Sequence, residues 1–379
     1  MDSENNIIMK NENLNQLNNI GIIKNKKNSN KILNYISLVK IVSACLVILK
    51  HTNSNYWIYN EYWVSTNIIC SFCMCAVPLF ALCIGATLLN FNEKYGIKEY
   101  WKRRIIKVII PIIGWNIFYY FYRVYILKNF QKIDLNFINI YKLYFENKLY
   151  GIISSLRTFI FGYMIIPLIS FIDKSKKIKL YSYGLIFIII NQSTIPYLIN
   201  IYLNYINLSN ESKYGFNIKW PYNYNTGYLA YLFSGYIIQN TKFNLIIKLF
   251  LYAFGIFGLI LRIIISHALT LRYKKPDNTQ INYLNLPIVF YSCSVFLFIK
   301  ENSKYIFKII SIKYINKIGA LSLGPFFLHN LIIATLPYIF KYNKFSFNYR
   351  FFGFILISII CFLLTFIIRK IPIIKYLTP

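Results

Sequence analysis

Lys40 and His51 stand eleven residues apart in one apolar stretch, residues 32–52 (ILNYISLVKIVSACLVILKHT). A neutral histidine is the natural general base near pH 7. A cation on the same face can orient an anionic donor or stabilise developing negative charge. Eleven helical residues turn through about 1100°, three turns plus about 20°, and rise roughly 16 Å. The two side chains therefore share one stripe. Ionisable groups at membrane depth are costly and face a bundle interior or a watery cavity. Two on one stripe point to a reaction path inside a membrane protein. The competing reading sends Lys40 and Lys50 to opposite surfaces by snorkelling and leaves His51 among headgroups.

The elements that must hold this stripe are apolar helices. Of 379 residues, 57% are hydrophobic and 14% charged, against about one quarter charged in an ordinary soluble domain. Apolar runs of about 20 residues predict an all-α, polytopic integral membrane bundle of about ten transmembrane helices. They fall near 32–53, 64–90, 105–126, 150–172, 180–199, 223–238, 245–265, 284–299, 317–339 and 351–370. The net charge of +30 is of the size seen in nucleic-acid binders, but its distribution argues against that partner. With the N-terminus inside, Lys and Arg favour the inner segments by about two to one, which places both termini in the cytoplasm. Residues 1–30 are Asn-rich and lack the apolar core of a signal peptide. They read as a disordered cytoplasmic tail ahead of one transmembrane domain, residues 31–379. All seven cysteines fall within predicted spans, and with no His or acidic companion near Cys70, Cys73 and Cys75 no metal site is expected.

Four segments carry a resemblance. The first is Lys40-x10-His51 in KIVSACLVILKH. The second is residues 76–89 (AVPLFALCIGATLL), led by Val77-Pro78-Leu79-Phe80. The third is residues 100–115 (YWKRRIIKVIIPIIGW), and the fourth residues 322–333 (SLGPFFLHNLII). In order and spacing they resemble the acyltransferase 3 family of integral membrane acyltransferases. Three departures stand out: Lys40 where the family usually has Arg, Phe326 where Tyr is commoner, and no Trp-Phe-Leu run ahead of Tyr163 and Pro167. Lys keeps the charge but loses the planar bidentate fork. Residues 170–310 carry no recognisable motif.

The resemblance implies transfer of an acyl group, most often acetyl from acetyl-CoA, to a hydroxyl of an envelope or exported polysaccharide. Acetyl-CoA or another acyl-CoA would be a co-substrate, with no permanently bound cofactor. On this reading His51 is the base and Lys40 its helper. Arg103, Arg104 and Lys107 at the cytoplasmic start of the third span meet the donor phosphates, unless they only anchor that end on anionic lipid. Arg157, Tyr163 and His329 contact substrate. His329 can also be read as a hydrogen-bonding cross-link between helices, and Ser322 as a packing hydroxyl, since no G-x-S-x-G elbow surrounds it. Arg123, Arg157, Arg262 and His267 fall toward outer span ends, where they can line a cavity for an acceptor bearing phosphate or uronate. The outer aromatics Trp57, Tyr59, Tyr62, Trp63, Trp220, Tyr222 and Tyr224 can stack on sugars or form an ordinary aromatic belt. The expected setting is the plasma or inner membrane, beside polysaccharide synthesis machinery. The rival function is a transporter or flippase of a glycan or lipid-linked sugar. Such proteins often carry internal repeats, and none is evident here.

Overall fold

The computed structural model describes residues 34–128, 151–205, 224–277, 279–339, 346 and 348–378. The tail predicted over 1–30 lies outside them, as do Trp220 and Tyr222. Among the described residues there is no strand. Helix α1 spans Asn34–Thr52, α2 Trp63–Cys73 and α3 Ala76–Leu88. Then come α4 (Ile97–Arg104), α5 (Ile110–Phe121), α6 (Gly151–Ser170), α7 (Lys174–Ile188) and α8 (Ile195–Tyr205). The second half holds α9 (Tyr224–Asn240), α10 (Leu245–Tyr273), α11 (Leu286–Ile309), α12 (Ile312–Leu321), α13 (Leu323–Ile339) and α14 (Phe354–Ile368).

Prolines explain where these helices change course. Pro78 cannot bond the Met74 carbonyl, and the chain breaks there between α2 and α3. Pro325 likewise leaves the Leu321 carbonyl without its helical partner, and α12 meets α13 at a 57° bend. Pro111 and Pro196 are absorbed differently: each follows a wide π-turn, Ile105–Ile109 and Ile189–Thr194.

Among the described residues, seven helical units are long and apolar enough to cross a membrane, or eight if the bent α12–α13 pair is one span. The sequence predicts ten. The other two are α6, whose side chains are described only over Phe159–Ser170, and α9, whose 17 residues fall short of the roughly 20 that span a bilayer unaided. On α10, the apolar side chains Leu245, Ile246, Phe250, Phe257 and Ile264 are all exposed while Arg262, Ser266 and Thr270 are buried. That inversion of the soluble pattern marks a lipid-facing surface around a more polar interior.

The interior is drawn together by close backbone approaches. A Cβ on Gly85 of α3 would stand 2.0 Å from the Leu232 carbonyl oxygen of α9, and one on Gly235 would stand 2.1 Å from that of Leu82. The two glycines lie on either side of one crossing, the small-residue packing by which apolar helices associate in lipid. Because the obstructing atoms are backbone, no rotamer change relieves them. Gly85→Ala and Gly235→Ala are each expected to cost about 1–3 kcal/mol and to lower the thermal midpoint of detergent-purified protein by about 5 °C. Gly96→Ala, with nothing within 4 Å of its added Cβ, is expected to leave it unchanged. Light-scattering melts of the three variants make the comparison.

Candidate active site

Helix α1 carries two sites at two depths, with Lys40 about two turns from its start and His51 in its last turn. Lys40 lines a cavity of about 330 Å³ together with Arg104, Lys107 and Arg369. The cavity is walled by α1, α3, α6, the π-turn before α5 and the bend between α12 and α13, where Ser322 lies on its lining. Among the described residues no carboxylate lines it. Four cations in one largely apolar chamber repel one another unless an anion enters, so the chamber is electrostatically incomplete when empty. The Arg104 guanidinium is 5.8 Å from the ring centre of Tyr100 and 5.6 Å from that of Tyr163. These two faces hold it in place by cation–π attraction. Arg369 donates from Nε to the Thr378 carbonyl at 2.6 Å, which leaves its terminal nitrogens for the cavity.

The second site lies where α1 meets α13. The rings of His51 and His329 are 4.9 Å apart, centre to centre, and tilted by 48°. His329 is fully buried, and its Nδ1 is 2.9 Å from the Pro325 carbonyl oxygen. A carbonyl only accepts, so Nδ1 carries the proton and Nε2 is left as a bare lone pair. That Nε2 is buried and has no hydrogen-bond partner. It is a base held in one tautomer beside a second imidazole, and proton acceptance disturbs no other bond of the ring.

Phe326 connects the sites. It lines the cavity, meets Phe80 edge-on at 5.9 Å and stands 6.2 Å from the ring of His329. Three residues separate Phe326 from His329, so both lie on one face of α13. Neither histidine lines the cavity, and the Phe80–Phe326 pair closes its inner wall.

The structure thus gathers Lys40, Arg104, Lys107 and Tyr163 around one chamber and brings His51 and His329 together above it. Arg103 goes elsewhere. Its Nε bonds Glu99 Oε1 at 2.7 Å on the exposed side of α4, and its guanidinium covers the Tyr95 ring at 4.5 Å. Arg157 sits on α6, but its side chain lies outside the described residues, as does that of Tyr224. Lys50 does not snorkel outward. Its Nζ turns in to the Tyr283 hydroxyl at 2.9 Å and Met74 Sδ at 3.4 Å. The cysteines are free, and among the described residues no His, Cys, Asp and Glu cluster to hold a metal.

Arg369 was not legible as a site residue, because a basic pair after the last apolar run reads as an inner-surface anchor. Its membership needs the tertiary fold. Since each charge-assisted contact contributes about 1.5–3 kcal/mol, Lys40→Gln and Arg369→Gln are each expected to weaken pyrophosphate binding roughly tenfold or more. Arg103→Gln should leave it within about twofold, as expected for an exposed pair. Isothermal titration of pyrophosphate into detergent-purified protein distinguishes the three.

A family model described as an acyltransferase domain matches residues 33–369, from the residue before α1 to Arg369 itself. No curated protein and no solved structure matches the chain. The matched span includes every helix described above and covers nearly the whole chain. This all-helical membrane protein belongs to the acyltransferase 3 family.

Proposed function

We propose that the chain is an O-acyltransferase of the plasma or inner membrane that moves acetyl from cytoplasmic acetyl-CoA to a hydroxyl of an envelope or exported polysaccharide. The observation that carries this reading is the chamber of Lys40, Arg104, Lys107 and Arg369, with no carboxylate among the described residues of its lining, separated by one phenylalanine from a histidine pair. CoA bears a pyrophosphate and a ribose phosphate, an anion suited to four cations. With an even number of spans and both termini cytoplasmic, the chamber faces the cytoplasm and the histidines lie toward the outer leaflet.

In the reaction, the acceptor hydroxyl gives its proton to imidazole nitrogen as its oxygen forms the new bond to the acyl carbon. The carbon–sulfur bond breaks, and the thiolate leaves and takes up that proton. His51 is the base, and Lys40 steadies the donor and the charge that develops near it. His329 lies beside His51 with its free Nε2 and contacts the incoming substrate. Arg104, Lys107 and Tyr163 hold the donor, and Arg369 joins them. No side chain needs to be acylated, and Ser322 serves as lining.

Labelled acetyl-CoA supplied to isolated membranes is expected to give base-labile label on envelope carbohydrate. His51→Ala should reduce it by about 10²–10⁴-fold at equal protein level. Label that survives in His51→Ala removes the assigned base. Phe326 should limit the acyl group, since added methylenes must pass the Phe80–Phe326 wall. Phe326→Ala is expected to raise the ratio of butyryl to acetyl transfer by about 10-fold, measured by competition between the two thioesters.

A further inference from the structure

Beyond His51 the far end of α1 is surrounded by cations that the reaction above does not use. Arg262 of α10 is 1% exposed, and Arg350, just before α14, is 7% exposed. Among the described residues neither meets a carboxylate. Arg262 donates from Nε to the Gln280 carbonyl at 3.2 Å and from Nη1 to Asn67 Oδ1 at 3.2 Å, the Asn67 carbonyl at 3.4 Å and the Ser71 hydroxyl. Arg350 donates from Nε to Asn53 Oδ1 at 2.7 Å and from Nη1 to Ser65 Oγ at 2.8 Å. All these partners are neutral. In both guanidinium groups Nη2 is buried and has no partner at all.

Their place relative to the histidines matters. Asn53, which receives Arg350, is two residues past His51, and Lys50 is the residue before it. The Asn53 carbonyl also accepts from the Cys70 thiol at 3.8 Å, and Cys70 lies within electrostatic reach of Lys50, Arg262 and Arg350 alike. Asp277, which shares the neighbourhood of Tyr56 with Arg262, is occupied by the Thr279 amide and hydroxyl and the Gln280 amide. Gln280 Oε1, by contrast, is a buried acceptor without a donor. Buried guanidinium groups that only neutral oxygens compensate call for an anion. An orphaned acceptor beside them calls for a hydroxyl.

We propose that Lys50, Arg262 and Arg350 form an oxyanion subsite for the acceptor, selecting a hydroxylated molecule that bears a carboxylate or phosphate and holding it against His51. This deepens the O-acyltransferase reading and rests on it. Carboxylate and phosphate share the bidentate chemistry that guanidinium recognises, and the acceptors used in the test separate them.

Purified full-length protein in nanodiscs, with labelled acetyl-CoA, would be offered a neutral glucan oligomer, a glucuronate-bearing oligomer and a glycerol-phosphate oligomer. At least one anionic oligomer is expected to exceed the neutral one about tenfold in kcat/KM, through acceptor KM. Arg350→Gln should lower that preference about tenfold without changing the KM for acetyl-CoA, and Arg350→Lys should restore part of it. Equal labelling of neutral and anionic oligomers, or an unchanged preference in Arg350→Gln, overturns the subsite. A binding measurement separates it from the transferase reading. With CoA saturating, so that the inner chamber is filled, glycerol phosphate or glucuronate should raise the melting temperature of wild type but not of Arg350→Gln. No stabilisation by either overturns the subsite. Stabilisation without transfer to any oligomer keeps the subsite and overturns the transferase reading.

Discussion

Positive charge without acid is the constraint around which this bundle is organised. Among the described residues, Lys40, Arg104, Lys107 and Arg369 face one chamber with no carboxylate on its lining, and Lys50, partly buried, and Arg262 and Arg350, buried, lie farther along with only neutral partners. In water such charges would be ordinary. In an apolar bundle each is tolerable only if dipoles, rings or a bound anion answer it. The tyrosine faces over Arg104 and the carbonyls around Arg262 supply part of that answer. The remainder of that charge is left without a partner among the described residues at both ends of α1.

Two helices turn that charge pattern into a path. On α1, Lys40 and His51 mark its two ends, and on α13, Phe326 and His329 mark its middle. The rest of the fold keeps those helices in register. A Cβ on Gly319 of α12 would clash with Ser37 of α1, so the segment leading into α13 sits directly on α1. On the other side, the Gly85–Gly235 crossing fixes α3, which supplies Phe80 and Cys83 to the chamber wall.

The parts legible in the sequence were those with a local signature. Apolar length gave a helical membrane protein, and the helical period put Lys40 and His51 on one stripe. Arg104 and Lys107 followed from their place at the head of a span. Arg103 shows the limit of that reasoning: adjacent residues in a basic run differ by about 100° in direction, and Glu99 one turn earlier draws it outward. Apolar length decides least where a helix is short, as in the 17 residues of α9. Arg369 and Arg350 were out of reach for a different reason. Both come from the last part of the chain, about 300 residues from the α1 partners they approach, and no periodicity links positions so distant.

Pro325 has a consequence larger than a bend. The carbonyl it places beneath His329 is the orienting group that in many sites would be an aspartate. A carbonyl chooses the tautomer equally well but brings no negative charge to steady an imidazolium. Beside it stands the ring of His51, the residue after Lys50. The proline that bends the α12–α13 pair thus also settles which nitrogen of His329 is left unpaired, so the helix break and the chemistry of the ring are one feature of the backbone.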